Sequence, residues 1–343
     1  MSGSGKFRAG IIGLGMACPP HAQSLLDLGQ EVDIAAAFSP SPERRATFAE
    51  RFGLPVVDSG DEIFNDPSID YVIILTPPNT HLELVQRAVH AGKHVLLEKP
   101  LDVTYERSQQ IVDLASKANI KLGVVFQRRF RRTFSETARL LAEGELGEIV
   151  SVSMRLSNWR PQSYYDEPGR GTITRDGGGV LLTQAIHTID QMITLAGLPT
   201  QVSAFAVTSP VHDMETEDLV HATMRFDNGA VGSLSATTAA YPGYPDEIEI
   251  LGTKGSARLG SDSGTVALMD GRRIDLADAV DGGGIGADPM AFSHHNHLAL
   301  HKAFIEALRD NREPMASGDQ ALKAHRLITA ILRASEEEKM VSV

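Results

Sequence analysis

The chain has 343 residues, 42% of them hydrophobic and 22% charged, with a formal net charge of −12 and a single cysteine, Cys18. That length exceeds what one hydrophobic core usually organises, so two domains are expected. The acidic balance disfavours nonspecific nucleic-acid and anionic-membrane partners, and one cysteine excludes an intramolecular disulfide framework or a multi-cysteine zinc site. Met1 to Lys6 read as a short polar lead-in without a signal-like apolar core, and no run of apolar residues is long enough for a membrane span. A cytoplasmic protein that engages neither nucleic acid nor membrane is the expectation.

Residues 10–18 read Gly-Ile-Ile-Gly-Leu-Gly-Met-Ala-Cys at the end of a first predicted strand, Phe7–Gly13. Gly13 permits a tight turn out of that strand. Gly15 leaves room for a pyrophosphate beside the N–H groups of a helix start, with Leu14 and Met16 alongside; Cys18 stands where a third glycine is usual. Predicted helices at Pro20–Leu28, Pro42–Phe52, Asp61–Asn65, His81–Ala91 and Thr104–Ala118 then alternate with strands. The strands are Val32–Phe38, Leu54–Val57, Tyr71–Leu75, His94–Leu97 and Leu122–Phe126. Six strands with helices between them predict an α/β nucleotide domain over residues 1–124, a doubly wound parallel sheet with its ligand along the C-terminal strand edge.

The strand ends carry the candidate cofactor residues. After the second strand, Phe38-Ser39-Pro40-Ser41-Pro42-Glu43-Arg44-Arg45 places Ser39 where an acid for the ribose hydroxyls is usual. Ser39 with Arg44 and Arg45 would accept a 2′-phosphate, which favours NADP over NAD. Glu43, and the alternative that both arginines are exposed helix residues, leave NAD open. Thr76, Pro77, Asn79 and His81 follow the fourth strand, either as cofactor contacts or as a rigid turn. Glu98-Lys99-Pro100 follows the fifth, where Lys99 is placed to touch a substrate oxygen beside the nicotinamide, or alternatively to pair with Glu98 at the surface. Gln127, past the last strand, completes the set.

Residues 125–343 change character. Arg128, Arg129, Arg131 and Arg132 surround Phe130, and a helix is predicted at Phe134–Glu143. Strands follow at Ile149–Leu156, Gln201–Thr208, Leu219–Phe226, Ala230–Ala236, Ile248–Leu251, Ala257–Leu259, Thr265–Leu268 and Arg272–Ile274, with a hairpin turn at Asp227-Asn228-Gly229. This predicts an α+β substrate domain with a mainly antiparallel sheet, one face of which a second subunit would cover in a homodimer or homotetramer. The last helix, Gly318–Ser335, is expected to pack on the body of the protein, with the first domain as one place for it.

Within Asp176–Asp190, glycines 177–179 bring the backbone close to something before a helix on which Thr183, His187 and Asp190 recur at i, i+4 and i+7. That shared face points to chemistry at His187, the alternative being a core histidine. Asp190 would orient His187, or serve a cap or an interface. Trp159, Arg160, Tyr164 and Tyr165 suit stacking and hydrogen bonding to a polyhydroxylated ligand, or a packed surface loop. His294, His297 and His301 fit one helical face and imidazole suits zinc, but no nearby carboxylate completes a ligand set, so no metal is expected.

Together, Gly13-Leu14-Gly15, Thr76-Pro77-Pro78-Asn79-Thr80-His81, Glu98-Lys99-Pro100 and Gly178-Gly179…His187-Thr188-Ile189-Asp190 resemble the Gfo/Idh/MocA family of glucose-fructose oxidoreductase and inositol dehydrogenase. The resemblance implies a Rossmann domain followed by an open-faced sheet domain, often paired face to face. It also implies NAD(P)-dependent oxidation or reduction of sugars, cyclitols or their derivatives, with Lys99 and His187 as catalytic residues. Thr183 departs from the aspartate that inositol-dehydrogenase-like members carry, which puts inositol specificity in doubt. The rival readings are a lyase or glycosidase-like enzyme that uses tightly bound NAD transiently, and a non-catalytic dinucleotide-binding protein.

Overall fold

Short runs of consecutive apolar residues form the first sheet of the computed structural model, which describes residues 5–278 and 293–343; most of the polar lead-in lies outside them. Strands β1 (Phe7–Ile12), β2 (Val32–Phe38), β3 (Tyr71–Ile74), β4 (His94–Leu97) and β5 (Leu122–Val124) are all parallel, in the order β2-β1-β3-β4-β5. Every residue of β3 is buried, as a strand covered on both faces requires. Helices α1 (Cys18–Asp27), α2 (Pro42–Phe52), α3 (Gly60–Asn65), α4 (His81–His90) and α5 (Tyr105–Lys117) connect the strands. Their starts follow local chemistry: Ser41 accepts the Arg44 N–H, Thr104 accepts the Arg107 N–H, and Ser59 with Glu62 forms a capping box.

The sheet has five strands where the sequence predicts six. Leu54–Val57 makes a single parallel bridge, Val56 to Ala37, before the chain turns into the Ser59 cap of α3.

One row of residues crosses the sheet near its C-terminal edge. Phe38 pairs with Ile12, Ile12 with Ile74, Ile74 with Leu97 and Leu97 with Val124. The ladder continues one step further, through Gly13 N–H to Phe38 O, Leu75 N–H to Ile12 O, Glu98 N–H to Ile74 O and Val125 N–H to Leu97 O. The loops after these strands therefore leave from one edge. Because β2 and β3 flank β1 on opposite sides, the crevice between diverging loops opens at Gly13.

After α6 (Arg132–Ala142) comes β6 (Ile149–Trp159), then two single-turn helices, α7 (Gln162–Tyr165) and α8 (Ile173–Asp176), and helix α9 (Ile186–Ala196). Strands β7 (Gln201–Val207), β8 (Leu219–Arg225), β9 (Val231–Thr237), β10 (Ala239–Gly252), β11 (Gly255–Leu259), β12 (Ser263–Leu268) and β13 (Arg273–Ala277) follow. Helices α10 (His295–Arg309) and α11 (Gly318–Glu336) and a short β14 (Val341–Ser342) end the chain. The nine strands run β13-β12-β11-β10-β6-β9-β8-β7-β14, antiparallel except for the parallel β6–β9 pair. Alternation is clear in β8, where Val220, Ala222 and Met224 are buried and His221, Thr223 and Arg225 are exposed. Helices α6 and α9 pack on the buried face.

Contacts divide the described chain into two units, 5–127 with 293–322 and 128–278 with 323–343. A two-block division at 124/125 misses the return of 293–322 to the first unit. There α10 packs on α1, and the Phe304 ring fills the space left by Gly123, where an added Cβ would lie 2.7 Å from the ring. Among the described residues no helix is long and apolar enough to cross a membrane.

Candidate active site

At the edge of the parallel sheet, Gly13 has φ +102°, and a Cβ there would come within 2.8–2.9 Å of the Leu75 carbonyl and Thr76 N. Only glycine fits both the backbone angle and that approach. Gly15 faces open space; the nearest atom to an added Cβ is an Arg44 guanidinium nitrogen at 3.9 Å. A cavity of about 430 Å³ begins here, lined by Leu14, Gly15, Cys18, Ser41, Arg44 and Phe48 among others. Helix α1 starts without a side-chain cap, but the Cys18 N–H bonds the Gly15 carbonyl at 3.1 Å and Pro19 and Pro20 carry no N–H, so an anion at this turn would rely on the N–H groups of the loop 14–17. Met16 is half exposed beside them, whereas burial pushes the Cys18 thiol up to about 12 and leaves it a packing residue.

The arginines after β2 divide their roles. Ser39 is buried, its hydroxyl accepting the Ser41 N–H, and Arg45 spans the Ser39 carbonyl (2.8 Å) and Asp58 (2.7 Å). Arg45 is thus tied to the fold, whereas Arg44, with Arg51 further along α2, lines the cavity.

His81 is a correction to the cofactor set. Its ring is buried between the Pro100 and Leu101 carbonyls, each 3.1 Å from Nδ1, and the Thr76 carbonyl, 2.9 Å from Nε2. Burial lowers its pKa, and the ring clamps the loops after β3 and β4 to each other. The Thr76 and Thr80 hydroxyls bond at 2.7 Å, and exposed Asn79 offers its carbonyl to Arg107. Glu98 accepts the Lys99 N–H at 2.6 Å, and half-buried Lys99 precedes Pro100 across a cis bond. At the end of β5, the buried Gln127 Oε1 has no hydrogen-bond partner among the described residues. An open glycine cradle and an orphaned side-chain carbonyl on one edge fit a dinucleotide.

In the second unit, His187 lies in the first turn of α9 and is 7% exposed. The approach to that helix is held by one carboxylate: Glu217 accepts the N–H groups of Gly179 (3.0 Å) and Leu181 (3.1 Å), and its carbonyl accepts the Val180 N–H (2.8 Å). A Cβ on Gly179 would fall 1.8 Å from the Glu217 carbonyl oxygen, which explains the glycines before the helix. Burial raises the pKa of Glu217, while those N–H bonds pull it down. Nothing in the acidic run Glu215-Thr216-Glu217-Asp218 singles this residue out by sequence.

Residues Leu181–Ala185 wind as a π-helical turn, so the offset from Thr183 to His187 departs from the regular period on which a shared face depends. The Thr183 hydroxyl donates to the Gly179 carbonyl at 2.6 Å. Asp190 is a second correction. It receives both arms of Arg129, at 2.8 and 2.6 Å, in a buried pair, so it anchors α9 through Arg129.

Trp159 packs edge-on to Tyr241 at 5.4 Å, and His212 lies 4.8 Å from the Tyr165 ring. Arg160 and Tyr165 are interior residues. Arg160 donates to the Trp159 carbonyl at 2.8 Å and lies over Tyr164, while Tyr165 bonds the Thr238 hydroxyl at 2.7 Å and burial pushes its phenol up to about 12. Both support the loop from within, and half-buried Trp159 and exposed Tyr241 form its outer edge.

The residue after His187 is tied down as well. The Thr188 hydroxyl donates to Asp246 at 2.9 Å, and Arg128 pairs with the same carboxylate and reaches the Thr188 oxygen at 3.2 Å. Burial alone would raise the Asp246 pKa, but Arg128 and Arg131 hold it at about 2. Its contribution is full above the unfolded value of 3.8 and is lost as pH falls towards 2. Such a shift corresponds to ~2 kcal/mol. Urea titrations should show the native chain losing about that much more stability than Asp246→Asn on acidification from about pH 5 to about pH 2.5. Parallel losses in the two proteins would remove Asp246 from this role.

Residues 7–126 match a family model described as an oxidoreductase family with an NAD-binding Rossmann fold, and residues 134–258 match the GFO/IDH/MocA C-terminal domain. The chain is 31% identical to the uncharacterized oxidoreductase YdgJ of Escherichia coli, over 95% of both chains. It is 26% identical to the scyllo-inositol 2-dehydrogenase (NADP(+)) IolW of Bacillus subtilis, over 98% of this chain and 95% of that one. The crystal structure of the WlbA dehydrogenase from Bordetella pertussis, in complex with NADH and UDP-GlcNAcA, aligns with a TM-score of 0.84 at 27% identity, covering 99% of both chains. A glycine cradle on a parallel sheet, a lysine on the same edge and a histidine on a braced helix of the following sheet domain thus belong to a member of the Gfo/Idh/MocA oxidoreductase family.

Proposed function

We propose that the chain transfers a hydride between NADP or NAD and a secondary alcohol or ketone of a sugar, cyclitol or sugar derivative, with Lys99 and His187 as the catalytic pair. The row of strand ends carries this reading, because it brings the Gly13–Gly15 cradle and Lys99 to one edge of one sheet. Gly13, Leu14, Gly15 and Met16 would hold the pyrophosphate, Thr76, Pro77 and Asn79 would flank the dinucleotide, and Gln127 would offer its free oxygen. A bound nicotinamide ring would supply the hydride acceptor for oxidation and the hydride donor for reduction. As the carbinol carbon becomes a carbonyl, His187 takes the hydroxyl proton and the Lys99 cation stabilises the charge on the oxygen. In reduction the same residues polarise the carbonyl and return the proton.

The substrate class rests on the relatives, one named for scyllo-inositol and one bound to a nucleotide sugar, and on Trp159 with Tyr241 as a stacking edge. The Thr183 hydroxyl is spent on the Gly179 carbonyl, so the proton is handled without a carboxylate at that position. Exposed Phe205 and Val231 support a reading in which a second copy covers the open sheet face.

Assays of polyols and ketosugars with both cofactors, followed by nicotinamide absorbance, test this reading. His187→Ala should cut kcat roughly 10²–10⁴-fold with cofactor affinity nearly unchanged. An equal loss of both would make His187 a structural residue. Arg44→Ala should weaken NADP binding about tenfold more than NAD binding, since it removes one charge-assisted contact to the 2′-phosphate. Equal weakening of the two cofactors would contradict that role.

A further inference from the structure

We propose that His21, Glu98 and His297 form a site for a divalent transition metal of the zinc class, with His301 orienting His21. One ligating atom from each of the three lies within 4.8 Å of the others. They come from three remote segments of the first unit: α1, the loop after β4, and α10. His21 and His297 are 0% and 2% exposed, and the two rings meet edge-on at 4.9 Å.

Two imidazole nitrogens and one carboxylate oxygen are a donor set that suits zinc. Metal–ligand bonds of about 2.0–2.2 Å place tetrahedral ligands roughly 3.4 Å apart. His21 Nε2 and Glu98 Oε1 are already 3.7 Å apart, near that edge and too far for a hydrogen bond. His21 Nε2 is buried with no hydrogen-bond partner among the described residues, and it faces the carboxylate. A buried ring nitrogen left in this way is costly unless something occupies the space before it.

The outer groups fit the same purpose. His21 Nδ1 lies 2.9 Å from His301 Nε2; with the proton of that bond on His21 Nδ1, the Nε2 lone pair is turned towards Glu98. The second oxygen of Glu98 is fixed by the Lys99 N–H at 2.6 Å. An ion here would staple α1, the end of β4 and α10 to one another, with one ligand, Glu98, directly preceding Lys99. Within the stretch 294–301 the carboxylate is missing because the fold supplies it from the far side of the sequence.

The tag-free chain, stripped with a chelator, should rebind one Zn2+ per molecule and gain thermal stability. Co2+ in its place should give the visible absorption of a four-coordinate nitrogen–oxygen site. His297→Ala should lower Zn2+ affinity about 100-fold and His301→Ala about tenfold, the range for losing a ligand and its orienting partner. The double variant His294→Ala/His295→Ala, at the exposed start of α10, should bind as the native chain does. A native chain that takes up no metal and shows no shift in Tm with zinc overturns the proposal. So does binding that survives His297→Ala and is lost in the double variant, because the metal then sits on the surface pair.

Discussion

The structure depends on where the parallel strands stop. Phe38, Ile12, Ile74, Leu97 and Val124 stand in one hydrogen-bonded row, and each strand hands its chain to a loop within a residue or two of that row. Right-handed crossovers put every strand-to-helix loop on the same edge. Residues remote in sequence, among them Gly13, Thr76, Lys99 and Gln127, therefore share one ledge without a dedicated scaffold. Gly13 is the tightest point on it, since its backbone runs against Leu75 and Thr76 with no room for a side chain. Polar groups below the ledge keep it level: His81 binds the loops after β3 and β4, and Glu98 holds the N–H of Lys99.

The second unit solves a different problem, how to fix a histidine on a helix whose start is irregular. Three buried polar ties do this. Glu217 takes the N–H groups at the approach, Asp190 takes Arg129 one turn after His187, and Asp246 takes Thr188 and Arg128. Two of the ties, Asp190 with Arg129 and Asp246 with Arg128, are ion pairs with buried carboxylates, so removing one partner leaves the other stranded, which is costly. The π-helical turn before His187 persists within this frame, and such turns recur at functional sites.

Much of this was legible in the sequence wherever the signal is local. Strand β2 and helix α2 fall where the pattern puts them, Val32–Phe38 and Pro42–Phe52, because Ser41-Pro42 starts the helix and Gly53 ends it in the left-handed conformation. The glycine turn, the lysine after β4 and the histidine after the glycine run were equally readable, since each is a residue type in a fixed local setting. What failed depends on partners from elsewhere. Leu54–Val57 has strand character but Ser59 takes the chain into α3. Asp190 has the spacing to serve His187, yet Arg129 claims both its oxygens. His81 looks like a ligand-edge residue, and three carbonyls from two loops enclose it. No pattern within residues 293–322 announces that they return to the first unit; only the gap at Gly123 and the face of α1 make room for them.

The proposed chemistry requires two side chains to serve one oxygen. A crystal structure with NADP and a sugar-like substrate or inhibitor bound tests it most directly. In that complex Lys99 Nζ and a ring nitrogen of His187 should both lie within about 3.2 Å of the oxygen on the reacting carbon, with the nicotinamide over the Gly13–Lys99 edge. A complex in which either side chain lies beyond reach of that oxygen, or in which the dinucleotide binds elsewhere, would contradict it.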